Sequence, residues 1–348
     1  MINTDNFQPD KEYFAAANSH TGFISKFDKV FKRESYKRVF ILKGGPGTGK
    51  STILKGLCCL GRENKLKAEA IYCSSDPHSL DGVILSNNDL RIAVLDGTSP
   101  HAEEAICPGA IDELVDLGSG FNTRLLEEQR EVILRASSLK KEAYKKAYDT
   151  LAEAAELFEL ILNEVKLFDI YSLADEIAEE NLSYFSDARG EQSESEIFYT
   201  AFGKKGLFTL PPRTDKRIIN IGGDSLFSRL VLSRIKEKLK EKSIKSTSFS
   251  SPLDRRICDR VETGSCVYLC DCPSPETIDT SGISISDYPL LYKLFDCYLA
   301  LLDKAKAYFK EASVYHFELE DIYKGAVDFG NNDEIFSSLC SRIEGYLR

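Results

Sequence analysis

The stretch GGPGTGKST at positions 44–52 combines a glycine-rich backbone with one lysine and two hydroxyl side chains. Glycine adopts φ > 0 without strain and has no Cβ, so Gly44, Gly47 and Gly49 allow backbone N–H groups to approach the oxygens of an anion. Pro46 fixes one φ angle and thereby stiffens the loop. The pattern predicts a loop that surrounds a phosphate group with backbone donors.

The side chains that follow the glycines supply complementary chemistry. Lys50 places a positive charge where the β- and γ-phosphates of a nucleotide would lie. Ser51 offers a hydroxyl ligand to Mg²⁺, and Thr52 offers a second hydroxyl near the α-phosphate. The residues predicted to contact the nucleotide are Gly44, Gly45, Pro46, Gly47, Thr48, Gly49, Lys50, Ser51 and Thr52.

A strand before this loop and a helix after it must position these groups. Residues 38–43 form a β-branched and aromatic run that predicts a buried strand, and an amphipathic helix is predicted from Lys50 onward. A helix that begins here directs the positive end of its dipole at the same anion. The motif G-x-x-x-x-G-K-S is typical of a phosphate-binding loop when it follows a strand and precedes a helix, and the sequence predicts that order here.

An aspartate at the end of an apolar run predicts a magnesium site. Asp96 ends the run LRIAVLD at 90–96 and follows Lys50 by 46 residues. A carboxylate that leaves a buried strand is costly unless a cation or hydrogen bonds compensate it. We therefore expect Asp96 to hold Mg²⁺ through water on the strand beside the glycine loop.

A polar stretch, SSDPHSLDG at 74–82, follows a second predicted strand at 68–73. Ligands bind at the carboxyl ends of strands in open α/β sheets, which makes Asp76 a candidate Mg²⁺-water ligand or general base. His78 and Asp81 are lesser candidates of the same kind. The structural alternative is that Asp76 caps a turn.

Residues 123–185 have helical periodicity and contain no proline, and apolar residues recur there at i, i+3, i+4 spacing. We predict two long helices in this segment, arranged as an antiparallel hairpin, with a partner-binding arm or lid as the alternative. The polar segment 186–196 predicts a linker, and helical patterns return at 288–328.

The second half of the chain repeats the first in a degenerate form. Four segments match in the same order at separations of 175 to 185 residues: FYTAFGKKGLF with YFAAANSHTGF, KRIINIGG with KRVFILKGG, the serines at 250–251 with those at 74–75, and VYLCDCPSP with AVLDGTSP. In the second copy Asp224, Leu226 and Phe227 follow the glycine pair, and no G-K-S occurs. We expect this half not to bind nucleotide, and Asp271 corresponds to Asp96.

Three groups of residues have two interpretations each. Residues 98–101 either sense the γ-phosphate or form a turn. Tyr13, Phe14 and Asn18 either contact the nucleotide base or pack in the core. The arginines at 255–256 either form surface salt bridges or act as an arginine finger on the first half.

The composition bounds the class of protein. With 348 residues the chain is long enough for two domains, and its net charge of −10 argues against general nucleic-acid binding, which depends on Lys and Arg. The first 14 residues include acidic side chains and no apolar core, so we expect no signal peptide, and no uncharged apolar run approaches the length of a membrane span. The ten cysteines favour reduced thiols. We therefore expect a cytoplasmic protein with no membrane partner.

The motifs FILKGGPGTGKST, YCSSDPHSLDGV and IAVLDGTSPH resemble those of P-loop NTPases, and with the second loop-like half they are similar to bacterial tandem P-loop ATPase-like proteins. The resemblance covers residues 13–118. It implies an α/β fold with a mostly parallel sheet and flanking helices, duplicated as a degenerate second half and interrupted by a helical insertion. The expected domains are 1–122, 123–185 and 186–348.

The resemblance also implies Mg-nucleotide binding by residues 44–52 and Asp96. We expect Mg-ATP binding and ATP hydrolysis in the N-terminal half, with Lys50, Asp96 and Asp76 in catalysis and with Ser51 and Asp96 on Mg²⁺. ATP is favoured over GTP because no N-K-x-D motif is present. The alternatives are a small-molecule kinase with Asp76 as base and a non-enzymatic nucleotide-gated binding or regulatory module. The client, a protein or a small molecule, and a homo-oligomeric state stay open.

The residue after Asp96 departs from the pattern of many ATPases, because Gly97 stands where they have a catalytic glutamate. Asp76, Glu103 or Glu104 would then have to activate water, or hydrolysis is slow.

Overall fold

The computed structural model describes residues 2–100, 102–168, 170–181, 188–270, 272 and 274–347. The strands are β1 (Lys11–Tyr13), β2 (Ala16–Ser19), β3 (Gly22–Ser25), β4 (Arg38–Lys43), β5 (Lys67–Tyr72), β6 (Leu80–Ser86), β7 (Arg91–Asp96), β8 (Asp112–Asp116), β9 (Gln192–Glu194), β10 (Thr200–Gly203), β11 (Gly206–Thr209), β12 (Arg217–Gly222), β13 (Ser246–Ser250), β14 (Cys258–Glu262), β15 (Cys266–Cys270) and β16 (Glu276–Asp279). The α-helices are α1 (Phe27–Val30), α2 (Lys50–Glu63), α3 (Thr123–Glu128), α4 (Arg130–Leu167), α5 (Ile170–Glu180), α6 (Ser225–Glu241), α7 (Pro289–Lys324) and α8 (Phe329–Gly345).

The chain divides into two compact units. The first unit contains Met1–Ala16, Ser25–Lys146 and Tyr308–Arg348, and the second contains Ala17–Ile24 and Ala147–Ala307. This division differs from the predicted boundaries, because the C-terminal helices belong to the first unit. The physical reason is burial, since α8 contributes apolar side chains to the same core as α2.

The first unit has a six-stranded sheet in the order β1-β5-β6-β7-β4-β8. β6 runs antiparallel to both of its neighbours, and the other adjacent strands are parallel. The predicted strands at 38–43, 68–73 and 90–96 are confirmed as β4, β5 and β7. Leu42 lies opposite Asp96 in the register of β4 and β7, so the carboxyl ends of these two strands meet.

The core of the first unit forms between this sheet and two helices. The β-branched and aromatic residues of β4 and the apolar face of α2 pack together, as their alternation and helical spacing require. Phe40 and Leu42 meet Ile53 and Leu57 of α2, and Leu339 of α8 lies in the same cluster. This packing fixes both ends of the loop that joins β4 to α2.

The second unit has a six-stranded sheet in the order β16-β12-β15-β14-β13-β9, and its pairs repeat the succession of parallel and antiparallel pairs in the first sheet. α6 follows β12 as α2 follows β4. The two α/β sheets are thus consistent with duplication. The predicted linker at 186–196 is wrong in part, because residues 192–194 form the edge strand β9; its three residues are polar and only partly covered, so they lack the apolar pattern of a strand.

The helical segment differs from the predicted hairpin. Its described residues form the six-residue α3, the 38-residue α4 and the 11-residue α5. In the first unit α4 packs on α7, where the rings of Tyr144 and Phe309 lie 5.6 Å apart. In the second unit the rings of Phe158 and Tyr298 make the corresponding contact at 4.9 Å. The partner of α4 therefore comes from the C-terminal part of the chain. The described helices include none whose length and apolar character suit a membrane crossing.

Candidate functional site

The glycine loop joins the end of β4 to the start of α2. Gly47 and Gly49 have φ angles of +72° and +80°, which lie in the left-handed region that glycine adopts without steric cost. Gly49 directly precedes the helix, and no side chain caps the N-terminus of α2 by a hydrogen bond. The loop therefore has the left-handed turns that the sequence pattern predicted.

The backbone donors of this loop have no partners within the described part of the chain. No hydrogen bond there is donated by the N–H group of Gly45, Gly47, Thr48, Gly49 or Lys50. The first N–H groups of a helix have no partner inside the helix, and together with the helix dipole they form a favourable site for an anion. This end of α2 can accept negative charge.

Lys50 crosses the loop with its side chain. Its ammonium is buried, with 9% of the residue exposed, and donates to the carbonyl oxygens of Gly44 at 3.1 Å and Gly45 at 2.7 Å. An ammonium has three donors, so one remains after these two bonds. The Oδ2 atom of Asp96 lies 3.7 Å from Nζ, which is an ion-pair distance rather than a hydrogen bond.

Asp96 is held in place by the turn that follows β7. Its Oδ1 atom accepts from the backbone N–H of Thr98 at 2.9 Å and from the Thr98 hydroxyl at 2.6 Å. These bonds leave Oδ2 on the side of Lys50. The structure thus brings the two predicted residues Lys50 and Asp96 together, and it gives Thr98 the role of a turn residue that orients the carboxylate. His101 lies outside the described residues.

The predicted polar stretch lies beside the start of α2. The hydroxyl oxygen of Ser51 accepts from the backbone N–H of Leu80 at 3.0 Å. Asp76 accepts from the backbone N–H of His78 at 3.2 Å, a turn of the kind that the capping interpretation requires. Asp81 is buried in β6. The segment that contains Asp76 is therefore close to Ser51, and Asp76 takes part in local turn structure.

The two other acids considered for water activation are bound to cations. Glu103 pairs with Arg33 at 3.4 Å, and Glu104 pairs with Lys43 at 2.9 Å. Gly97 has no room for a side chain, because a Cβ there would stand 2.3 Å from the Cγ2 atom of Ile41. A glutamate after Asp96 would therefore require the buried Ile41 to move.

Comparisons of the chain with protein-family models, with curated proteins and with solved structures found no match.

The C-terminal helices contact the glycine loop, which the sequence did not predict. A Cβ on Gly45 would stand 2.9 Å from the ring of Tyr323, and a Cβ on Gly47 would stand 2.6 Å from the carbonyl oxygen of Glu320. Glycine at positions 45 and 47 is therefore needed for the close approach of α7, whatever the loop binds. The helical pattern at 288–328 predicted a helix but not the surface on which it packs.

α8 makes a second contact with the loop through a side chain. The Nδ2 atom of Asn332 donates to the carbonyl oxygen of Thr48 at 2.8 Å, and Asn332 is 3% exposed. The hydroxyl of Thr48 donates to the carbonyl oxygen of Gly45 at 2.8 Å. Thr48 therefore has a structural role in the loop, and Thr52 is exposed.

The degenerate loop of the second unit supplies its own negative charge. Gly223 has a φ angle of +115°, and the carboxylate of Asp224 accepts from the backbone N–H groups of Leu226 at 3.0 Å and Phe227 at 3.3 Å. Asp224 thus occupies the helix N-terminus that would otherwise face an anion. Asp271, the counterpart of Asp96, lies outside the described residues.

No observation on the described residues supports an arginine-finger role for Arg255 or Arg256. Arg256 binds the carboxylate of Asp254, with Nη2 to Oδ2 at 2.6 Å, and Arg255 is exposed. These contacts favour the salt-bridge interpretation.

The three predicted base contacts lie in the core. Tyr13 is 2% exposed, and Phe14 and Asn18 are fully buried. Asn18 donates to the carbonyl oxygen of Phe202 at 2.8 Å and accepts from the hydroxyl of Tyr148 at 2.8 Å. These contacts favour the core-packing interpretation of all three residues.

Proposed function

We propose that the first unit binds a Mg-nucleoside triphosphate, with ATP as the nucleotide, and hydrolyses it. The observation that carries this proposal is the buried ammonium of Lys50, which lies across the loop and 3.7 Å from the carboxylate of Asp96. A buried cation needs an anion or several acceptors to compensate its desolvation. Gly45 and Gly47 support the proposal less strongly, because the packing of α7 also requires glycine at these positions.

The residues at this site fit the group that they would hold. The backbone N–H groups of Gly47, Thr48 and Gly49 and the third donor of Lys50 suit the oxygens of a phosphate chain. The hydroxyl of Ser51 and the carboxylate of Asp96 are oxygen ligands of the kind that Mg²⁺ prefers. Both sets lie at the carboxyl ends of the adjacent strands β4 and β7.

A bound Mg-nucleotide would supply the phosphoanhydride bond and a metal ion that neutralises charge on the phosphates. The contribution of the chain would be mainly electrostatic, because Lys50 and the loop N–H groups are donors that would stabilise negative charge on the phosphates. Asp76 is the acid that we assign to accepting a proton from water, because its segment lies beside Ser51 at the start of α2.

One observation favours a second candidate function, a nucleotide-gated binding module without turnover. Position 97 is a glycine and supplies no carboxylate, and Asp76 already accepts a hydrogen bond from His78 within its turn. A site with phosphate donors and a weak water-activating group would bind nucleotide and release phosphate slowly.

Thermal unfolding with and without Mg-ATP, followed by phosphate release on the same sample, tests the proposal. At a nucleotide concentration of 100 times Kd, binding stabilises the folded protein by about 2.7 kcal/mol, which raises the Tm of a unit of this size by several degrees. Phosphate release that Asp76→Asn abolishes, with the Tm shift retained, supports hydrolysis with Asp76 as base.

A Tm shift without phosphate release supports the binding module instead. An unchanged Tm at millimolar Mg-ATP contradicts both functions. Asp224→Ala is the matched control in the second unit, and we expect it to leave the nucleotide-dependent shift unchanged.

A further inference from the structure

α8 reaches the phosphate loop from a position more than 280 residues further along the chain. Asn332 lies in the first turn of α8 and is 3% exposed, and its Nδ2 atom donates to the carbonyl oxygen of Thr48 at 2.8 Å. The same nitrogen lies 3.4 Å from the position that a Cβ on Gly49 would take. The contact therefore falls on the peptide bond that joins Thr48 to Gly49.

The geometry of that peptide bond determines what the contact does. A trans peptide is planar, and its carbonyl oxygen and its N–H point to opposite sides of the chain. The carbonyl of Thr48 is directed to α8 by Asn332, so the N–H of Gly49 points away from α8. Within the described residues this N–H donates no hydrogen bond. It is therefore one of the donors that an anion at the start of α2 would meet.

Asn332 also has an unusual hydrogen-bonding state. Its Oδ1 atom is buried and has no hydrogen-bond partner among the described residues. A buried polar atom without a partner costs about 1–3 kcal/mol, and an apolar side chain of similar size would avoid that cost. The amide at this position is thus explained by its donor, the group that holds the carbonyl of Thr48.

We propose that Asn332 is a positioning residue of the nucleotide site, which holds the peptide between Thr48 and Gly49 so that the N–H of Gly49 is directed at the phosphates. This inference rests on the proposed function of the first unit. It assigns to the C-terminal helix α8 a role in phosphate binding in addition to its role in the core. Asn332 acts through the loop backbone and does not itself need to touch the nucleotide.

The test compares nucleotide affinity among four variants of the full chain by titration calorimetry with Mg-ATP and, separately, with Mg-pyrophosphate. Asn332→Ala removes the donor, and Asn332→Leu removes it while keeping a side chain of similar size. Asn331→Ala is the matched control, because the neighbouring Asn331 donates to the hydroxyl of Ser119 at 3.2 Å on the same turn of α8. Lys50→Met is the reference for loss of the site.

We expect both Asn332 variants to raise the Kd for Mg-ATP and for Mg-pyrophosphate by about tenfold, which corresponds to about 1.4 kcal/mol. Asn331→Ala should bind like the wild type. The titrations are run at least ten degrees below the Tm of each variant, so a residue that only stabilised the fold would lower the Tm and leave Kd unchanged. Asn332→Leu keeps the side-chain volume without an unpaired polar atom and so serves if Asn332→Ala does not fold.

Three other results have separate meanings. Asn332 variants that are folded and bind both ligands like the wild type, while Lys50→Met does not bind, overturn the role of Asn332 and leave the proposed function intact. An effect on Mg-ATP with none on Mg-pyrophosphate also overturns it, because the Gly49 donor faces phosphate. The proposed function is overturned, and this inference with it, if the wild type binds neither ligand. The same conclusion follows if the wild type and Lys50→Met have equal Kd values for both ligands.

Discussion

Replacing Gly47 by alanine tests the contact between the glycine loop and α7. Gly47 has a φ angle of +72°, and a Cβ there would stand 2.6 Å from the carbonyl oxygen of Glu320 and 3.1 Å from the Cγ atom of Lys324. Real Cβ atoms do not approach backbone oxygens so closely, so either the loop or the end of α7 must move. The variant Gly47→Ala therefore adds a steric clash to a backbone strain.

Gly109 provides a matched control in the same unit. Its φ angle is +76°, nearly that of Gly47, but a Cβ there would meet no atom within 4 Å. Gly109→Ala should cost only the left-handed conformation, about 1–2 kcal/mol. Gly47→Ala should lower the free energy of unfolding by the same backbone strain and, in addition, by about 1–3 kcal/mol for the clash with α7. The difference between the two variants isolates the contact with α7.

The assay is urea unfolding followed by far-ultraviolet circular dichroism, with the free energy of unfolding taken from the midpoint and the slope. We expect Gly47→Ala to lose more stability than Gly109→Ala, with equal slopes. Equal losses in the two variants would refute the reasoning, because they would mean that α7 does not lie against Gly47 in solution.

Three further predictions concern single side chains. Asp224→Ala should destabilise the second unit by about 1 kcal/mol through loss of the helix cap, while Asp224→Asn, which also caps, should lose little; denaturant unfolding measures both. Arg33→Ala should cost about 3–5 kcal/mol, because it leaves the fully buried carboxylate of Asp112, now 2.7 Å from Nε, without its cation; a loss below 1 kcal/mol would contradict that. The hydrogen bond from His316 holds the pKa of Glu320 at about 2, below its ordinary 4.5, so the stability that Glu320 contributes is present above pH 4.5 and is lost as the pH falls through about 2. The stability difference between wild type and Glu320→Gln should therefore narrow over that range, and a difference that stays constant would show that the carboxylate is not stabilised.

Much of the fold follows from local patterns in the sequence. The apolar runs at 38–43 and 90–96 lie in strands β4 and β7, and the alternating segment 68–73 lies largely in β5. The order of matching segments in the two halves predicted a duplicated α/β arrangement, and the structure is consistent with it in having one six-stranded sheet in each unit. β9 was missed because its residues are polar and lie at a sheet edge, where no apolar alternation is required.

The pairing of long helices was not accessible from the sequence. The apolar face of α4 has the same period whether it packs on a neighbour in sequence or on α7. The choice depends on contacts such as that of Tyr144 with Phe309, which join residues far apart in the chain. Helical periodicity therefore identified the helices α4 and α7, but it did not show that they pack on each other.

The candidate site was predicted in part. The spacing of Lys50 and Asp96 predicted that the carboxyl ends of two strands would bring them together, and they lie 3.7 Å apart. The roles of Gly97 and Asn332 could not be predicted, because each depends on one contact with a distant residue rather than on a repeated pattern. Gly45 and Gly47 were predicted to contact the nucleotide. Their close contact with α7 is a second reason for glycine at these two positions.

The central claim is that Lys50 binds the phosphates of a nucleotide, and titration calorimetry with Mg-ATP on three proteins tests it most directly. The proteins are the wild type, Lys50→Met, which keeps the length of the side chain without its charge, and Lys67→Met, which removes an exposed charge at the start of β5. Since a hydrogen bond from a charged group contributes about 1.5–3 kcal/mol, we expect Lys50→Met to raise Kd by about 10-fold to 150-fold and Lys67→Met to leave it unchanged. Equal affinity of the wild type and Lys50→Met, or no binding by the wild type, would contradict the claim.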